Sequence, residues 1–117
     1  MLITGYGRNV SPEWPESALL GSGAFAAVVV VGDAMPYLGA LLVPVSAALT
    51  PEQLAAAVAL ANLDLPDYAQ VRRWRVVPPW GPATGLSTAN GRPRRAAIAR
   101  HYATDIAALY DNLEHIA

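Results

Sequence analysis

The strongest constraint on the fold is an almost continuously apolar stretch, Ala24–Val45. Gly32-Asp33-Ala34-Met35-Pro36 interrupts it near the middle, where a membrane span would have to carry a charge and a helix breaker through the bilayer. Two apolar runs of about eight residues around a turn are typical of strands buried on both faces. Phe25–Val31 and Tyr37–Val45 are therefore predicted to form an antiparallel hairpin at the centre of a sheet, and the membrane interpretation is disfavoured.

A helix is predicted before this hairpin. Ser11-Pro12-Glu13 has the pattern of a helix start, with Ser11 as the N-cap, proline at the first helical position and a carboxylate at the positive end of the dipole. Helical spacing predicts that Trp14, Ala18 and Leu19 face inward. Gly21-Ser22-Gly23 then ends the helix.

The same capping logic predicts a second helix after the hairpin. Thr50 is expected as its N-cap and Pro51 as its first residue, with Leu54, Val58 and Ala61 as the buried stripe.

Two further elements follow. Val71–Val77 is predicted as a third strand at a sheet edge, because its two faces mix arginines with apolar side chains. A last amphipathic helix is predicted from Arg94 to about Asn112. Its apolar stripe comprises Ile98, Tyr102, Ile106, Leu109 and Leu113.

These elements predict one α+β domain over residues 1–117: a small mixed or antiparallel sheet of about three strands plus an N-terminal hairpin, flanked by helices. Apolar residues make up 54% of the chain, which suggests that a partner covers part of its surface. The net charge of −1 provides no global field for nucleic acid or membranes. No cysteine is present, and His101 and His115 lack metal-ligand spacing and are expected at the surface, so no metal site is predicted.

Two loops carry the chemistry. Gly5-Tyr6-Gly7 is either a turn whose backbone lies close to a ligand or simply a tight hairpin, which the pattern alone favours. It lacks the third glycine of a dinucleotide fingerprint.

The second loop, Gly85–Arg95, delivers Arg92, Arg94 and Arg95 to the start of the last helix. Gly91 lets the chain turn sharply, so that Arg92 can reach a phosphate or carboxylate. All eight cations of the chain are arginines, and nucleic-acid binding is a minor alternative for this patch.

These segments together resemble the small C-terminal domain of adenylate-forming (AMP-binding) acyl-CoA synthetases of the long-chain fatty acid CoA ligase type. The resemblance covers essentially the whole chain in the right order. It is carried by Leu2-Ile3-Thr4-Gly5-Tyr6-Gly7-Arg8-Asn9-Val10-Ser11-Pro12-Glu13, Val30-Val31-Gly32-Asp33, Pro36-Tyr37, Leu65-Pro66-Asp67-Tyr68-Ala69 and Gly85-Leu86 through Arg95.

The resemblance implies a two-domain ligase that uses ATP, Mg and either CoA or a phosphopantetheine carrier, with none of them held tightly by this domain alone. A large N-terminal domain would form the acyl-adenylate, and the small domain would swing between two poses. Arg92 stands where the family has a catalytic lysine. Gly5, Tyr6 and Gly7 match the loop that lines the tunnel for the acceptor thiol, and Arg8 is a plausible contact to the acceptor's phosphates.

Two departures follow from the comparison with the family pattern. Arg92 replaces the lysine and no other lysine is available, so its competence in adenylation is open. The chain begins at the family's hinge, so the large adenylation domain is expected to be absent and the chain alone to be inactive. The alternative is a non-catalytic, stand-alone interaction module that binds a carrier protein or a partner ligase. A cytoplasmic location is expected in either case.

Overall fold

A computed structural model describes residues 2–5, 7–80, 85–86 and 94–110 of the chain. They fall into two compact units, Met1–Val77 and Pro78–Ala117. In chain order the elements are β1 (Leu2–Ile3), β2 (Asn9–Val10), α1 (Glu13–Gly21), β3 (Phe25–Val31), β4 (Leu38–Pro44), α2 (Pro51–Asn62), a turn of 3₁₀ helix (Asp67–Ala69), β5 (Val71–Val76), α3 (Arg95–His101) and α4 (Ala103–Ala108).

The predicted apolar hairpin forms, but only β4 lies at the centre of the three-stranded sheet, whereas β3 is an edge strand, so the predicted central position of the whole hairpin is wrong. β3 and β4 pair antiparallel, with Val30 opposite Ala40, and β4 is buried from Leu38 to Val43. β5 pairs with the other side of β4 in the parallel direction, so the sheet is mixed, with the order β3–β4–β5. The α+β prediction and the edge position of the third strand are therefore confirmed.

Because the long apolar stretch forms strands, the membrane interpretation has no helix to support it. Within the part of the chain that the structure describes, no helix is long and apolar enough to cross a bilayer.

The start of α2 follows the prediction. The Thr50 hydroxyl accepts a hydrogen bond from the Gln53 backbone N–H at 3.1 Å, and the Gln53 side chain accepts one from the Thr50 N–H at 2.8 Å. This reciprocal capping box satisfies two N–H groups that have no partner within the helix. Leu54, Val58 and Ala61 are buried, as their spacing predicts.

The start of α1 differs from the prediction. Pro12 occupies the cap position, and the N–H of Trp14, the second residue of the helix, donates to the Ser11 carbonyl at 3.2 Å. Since a backbone oxygen satisfies this N–H, the Ser11 side chain makes no cap hydrogen bond, and the prediction of Ser11 as N-cap is wrong.

The buried face of α1 also differs. Trp14 is 45% exposed and Ala18 is half-buried, whereas Pro15, Glu16 and Leu19 are buried. Glu16 faces the sheet because its carboxylate accepts a hydrogen bond from the Val30 N–H at 2.8 Å. Because Glu16 lies on the side of the helix that faces the sheet, Trp14 does not face inward, and its predicted inward position is wrong. The predicted inward position of Leu19 is confirmed.

The second unit contains the last predicted helix as two short ones. Tyr102 (φ −105°, ψ 25°) separates α3 from α4, although hydrogen bonds continue on both sides of it. Of the predicted stripe, Ile98, Tyr102 and Leu109 are buried and Ile106 is half-buried, while Leu113 lies outside the described residues. Burial, and secondarily the charge of Asp105, raises the pKa of the Tyr102 hydroxyl above its usual value of 10.0. His101 is exposed, as predicted, and His115 lies outside the described residues.

The buried carboxylate of Glu16 gives a stability prediction. In Glu16→Ala the buried Val30 N–H loses its acceptor, which we expect to lower the free energy of unfolding by about 1–3 kcal/mol. Glu16→Gln keeps an oxygen acceptor and should lose less. Glu13→Ala, on the exposed side of the same helix, is the control and should stay within about 0.5 kcal/mol. Urea denaturation of the chain measures all three, and equal losses for Glu13→Ala and Glu16→Ala would refute the role of Glu16.

A second prediction concerns the end of α2. The Asn62 side chain donates to the Val71 carbonyl at 2.9 Å and accepts from the Val71 N–H at 3.0 Å, which fixes α2 to the start of β5. Asn62→Asp removes the donor and places a carboxylate opposite the Val71 carbonyl, so we expect the free energy of unfolding to fall by about 1–3 kcal/mol at neutral pH.

Protonation restores a donor to the aspartate introduced at position 62, so the deficit should shrink as the pH falls through the pKa of the new carboxyl group. Asn62→Ala cannot be rescued in this way and is the matched control. Parallel pH dependence of the two variants in urea denaturation would contradict the proposed hydrogen bonds.

Candidate functional site

The site is built around the N-terminal hairpin, whose loop is closed by its own backbone. β1 and β2 pair antiparallel, with Ile3 opposite Asn9. Within the loop, the Thr4 N–H donates to the Arg8 carbonyl at 3.0 Å and the Gly7 N–H donates to the Thr4 carbonyl at 2.9 Å. The buried Thr4 hydroxyl accepts from the Arg8 N–H at 3.2 Å. Thr4 is thus a structural residue of a tight turn, and its hydroxyl is occupied.

The turn between β3 and β4 fastens this hairpin. The Ala34 N–H donates to the Ile3 carbonyl at 2.7 Å, and the Gly5 N–H donates to the Met35 carbonyl at 2.9 Å. The Asp33 carboxylate also accepts from the Ile3 N–H at 3.0 Å. Three hydrogen bonds therefore set the position of the Gly-x-Gly loop relative to the sheet.

The two loop glycines have different physical roles. A methyl group at Gly5 would lie 3.3 Å from the Ala34 carbonyl oxygen, so Gly5 permits the close approach of the two turns. Gly7 has φ +80°, which glycine adopts without strain, and a methyl group there would meet no atom of the described chain within 4 Å. A side chain at Gly7 would enter open space beside the loop.

The hairpin loop forms one side of the candidate site, and the segment that precedes β5 forms the other. The side-chain amide of Gln70 donates to the carbonyls of Asn62 (3.1 Å) and Leu65 (3.0 Å), and the Ala69 N–H donates to the Pro66 carbonyl at 2.9 Å. Together with the paired bonds between Asn62 and Val71, these contacts hold the 3₁₀ turn that carries Tyr68.

A cleft of about 340 Å³ lies between the hairpin loop and the segment that precedes β5. The Arg8 guanidinium carbon is 4.3 Å from the centroid of the Tyr68 ring, and that of Arg73 is 6.0 Å from the Tyr37 ring. Guanidinium, phenol and amide groups suit the binding of a phosphate or a planar polar group. The cleft is lined by Thr4, Arg8, Pro36, Tyr37, Leu38, Asp67, Tyr68, Gln70 and Arg72.

The structure brings together some of the residues that the sequence singled out. Gly5, Gly7 and Arg8 lie on one loop, and Arg8 lines the cleft together with residues of Pro36-Tyr37 and Leu65–Ala69. Tyr6 and Arg92 lie outside the described residues. In the second unit Gly85 has φ +74°, and the Arg94 N–H donates to the Leu86 carbonyl at 2.9 Å.

Sequence reasoning missed three supporting residues. No role was assigned to Glu16, and Asp33 was placed only in a turn, yet Glu16 accepts a hydrogen bond from β3 and Asp33 accepts one from the N-terminal hairpin. Tyr68 was noticed only as part of a motif, and its contact with Arg8 has no local signature because the two are far apart in sequence. The nearest signal was the resemblance itself, since both residues belong to segments that carry it.

Comparison with known proteins identifies the family of this chain. The family model for the AMP-binding enzyme C-terminal domain matches residues 1–114. The long-chain-fatty-acid–CoA ligase FadD15 of Mycobacterium tuberculosis is 30% identical over 135 aligned positions, which cover 95% of this chain and 22% of that protein. A putative fatty-acid–CoA ligase of the same species, fadD11, is 29% identical over 94% of this chain and 23% of its own length. The chain thus spans less than a quarter of the length of these curated relatives.

Solved structures show the same fold. The A domain of a carboxylic acid reductase from Segniliparus rugosus, bound to AMP and a carboxylic acid, superposes with a TM-score of 0.84 at 22% identity, covering 96% of this chain and 20% of that one. The A-PCP didomain of the reductase from that organism gives 0.85 at 23% identity, covering 98% and 18%. The α+β architecture inferred from the resemblance is therefore confirmed, and the chain belongs to the family of AMP-binding enzyme C-terminal domains.

Proposed function

We propose that this chain completes the active site of an AMP-forming ligase that joins a carboxylic acid, such as a fatty acid, to CoA or to a phosphopantetheine carrier. Residues 1–117 act as one mobile domain beside a large N-terminal adenylation domain. The observation that carries the proposal is the fastened Gly-x-Gly loop, with Arg8 on the cleft and open space beside Gly7. Family membership, relatives named as fatty-acid–CoA ligases and the fold shared with adenylation domains favour this function over a non-catalytic interaction module.

In the first half-reaction the acid's carboxylate attacks the α-phosphorus of ATP, forming the acyl-adenylate and releasing pyrophosphate. ATP and its Mg belong chiefly to the large domain. This domain contributes Arg92, in the place of the family's lysine, as a fixed positive charge for the oxygens whose charge grows in the transition state. A guanidinium offers a planar pair of N–H donors rather than a point charge, so it meets a carboxylate or phosphate in a bidentate manner.

In the second half-reaction the acceptor thiol, as thiolate, attacks the acyl carbonyl and AMP leaves with the electron pair of the broken C–O bond. The turn of Gly5, Tyr6 and Gly7 borders the path of the thiol. Its glycines leave room for the thiol, because only hydrogen atoms project from them. Arg8 binds a phosphate of the acceptor. Holding the acceptor in line with the carbonyl is the contribution expected from a positioning loop.

The chain supplies neither an ATP site nor an acyl pocket in this scheme, so it is expected to be inactive unless the large domain is present. A cytoplasmic location is part of the proposal, because ATP and CoA are consumed there.

The role of Arg92 can be tested by acid-dependent ATP–pyrophosphate exchange in the ligase assembled from this chain and its large domain. We expect Arg92→Ala to lower the exchange rate by about 10²- to 10³-fold, because it removes a charge that stabilises the transition state. Arg92→Lys should retain more activity than Arg92→Ala. The proposal fails if exchange is the same in Arg92→Ala, or with and without this chain.

The role of the hairpin loop can be tested with two glycines of similar conformation. Gly7 (φ +80°) and Gly23 (φ +81°) both have open space at the methyl position. Gly7 directly precedes the cleft residue Arg8, whereas Gly23 lies in the turn between α1 and β3. Leucine at either position should cost about 1–2 kcal/mol of folding stability because L-residues are strained at positive φ.

Only Gly7→Leu should slow thioester formation from a preformed acyl-adenylate, by about tenfold or more, because it misplaces the acceptor. Pyrophosphate exchange should change much less. Equal slowing of thioester formation in Gly7→Leu and Gly23→Leu would show that lost stability, and not a blocked thiol path, is the cause.

A further inference from the structure

The cation–π contact between Arg8 and Tyr68 is the most specific feature of the cleft that the proposed function does not use. The guanidinium carbon lies 4.3 Å from the ring centroid, well within the range in which such contacts are energetically significant. Arg8 is exposed at the end of a hairpin loop. An exposed arginine without such a contact would sample many rotamers, and ordering them on binding would cost free energy.

Tyr68 is suited to hold Arg8 because the tyrosine is itself held. Its 3₁₀ turn is closed by the Ala69–Pro66 hydrogen bond and tied by Gln70 to the end of α2. The Trp14 ring meets Tyr68 edge-on, with centroids 6.3 Å apart and planes at 66°. Trp14, which sequence spacing predicted to face the core, instead lies at the surface, where it braces this tyrosine.

The chemistry of the contact also fits a phosphate site. An acidic partner would fix the arginine but would neutralise its charge and use its N–H donors. An aromatic ring attracts the cation through its π face and accepts no N–H hydrogen bond from a guanidinium that rests on it. The charge and the donors of Arg8 thus remain for the acceptor.

We propose that Tyr68 is the positioning residue for Arg8: its ring, braced by Trp14, holds the guanidinium over the cleft before the phosphorylated acceptor binds. This inference rests on the proposed function, because the acceptor is the ligand that Arg8 would meet. Tyr68 acts through Arg8 and touches no reacting atom.

A spectroscopic experiment tests the contact in the chain itself. The Tyr68 ring current should shift the NMR signals of the Arg8 side chain, Nε–Hε and the δ-protons, to high field. Tyr68→Leu should abolish this shift, and Tyr68→Phe should keep it. Tyr37→Leu is the matched control: it removes the ring that faces Arg73, at 6.0 Å, and should leave the Arg8 signals in place. Arg8 signals unmoved by Tyr68→Leu would overturn the proposal.

A kinetic experiment tests the consequence in the complete ligase, with CoA as the acceptor. Tyr68→Leu should raise the KM for CoA by about two- to fivefold, the equivalent of an exposed cation–π contact. Tyr68→Phe should have the native KM for CoA. In Tyr68→Leu the rate of pyrophosphate exchange should change by a smaller factor than the KM for CoA.

A double-mutant cycle separates positioning from packing. Tyr68→Leu should have no further effect on the KM once Arg8→Ala is present, since a residue that acts through Arg8 has nothing left to position. An equal rise in both backgrounds would overturn the proposal and indicate a structural role for Tyr68. If the native ligase forms no thioester with CoA or with a phosphopantetheine carrier, the proposed function itself fails, and that outcome is distinct from native activity without coupling between the two residues.

Discussion

The close fit of Gly32 against Leu38 is the constraint on which the rest of the first unit depends. Gly32 has φ +150°, and a methyl group there would lie 2.7 Å from the Leu38 side chain and 3.1 Å from the Tyr37 carbonyl oxygen. Leu38 is fully buried, so it cannot move aside without opening the core. Only glycine allows the chain to leave β3 and enter β4 in this way. In the turn so formed, Asp33, Ala34 and Met35 make hydrogen bonds to the N-terminal hairpin. The packing of Gly32 against Leu38 therefore fixes the position of the hairpin at the candidate site.

The parallel pairing of β4 and β5 explains why distant segments meet at one cleft. Leu38 pairs with Val71, so both strands begin at the same edge of the sheet. The residues that precede them, Pro36-Tyr37 on one side and Asp67–Gln70 on the other, are therefore neighbours. The N-terminal hairpin is fastened to the turn before β4 and closes the third side. Motifs that look independent along the chain are thus the margins of a single concavity.

The elements whose formation depends on residues close together in the sequence were predicted correctly. The apolar runs of β3 and β4, the capping box at Thr50 and the mixed faces of β5 each carry their own signal, and the corresponding elements formed as expected. The rotation of α1 was not predictable, because it depends on Glu16 meeting the Val30 N–H across the fold. The direction of β5 was also left open, since strand pairing depends on the crossover and not on strand composition. In the candidate site, the glycine loop and Arg8 were visible in the sequence, but the ring that holds Arg8 required the tertiary structure.

The absence of lysine from the chain gives this arrangement a chemical meaning. A lysine at position 8 would be a strongly hydrated point charge on a flexible stem, whereas a guanidinium is less hydrated and can rest its face on a ring while its edge stays available for hydrogen bonds. Tyr68 can therefore fix the direction of the Arg8 donors as well as the position of the charge. In the role proposed for Arg92, the same planar guanidinium would require a defined direction of approach by the carboxylate or phosphate. Under the proposed function, a domain that uses only arginines would control the direction of its phosphate and carboxylate contacts, and at Arg8 that direction would be set by the contacts with Tyr68 and, through it, with Trp14.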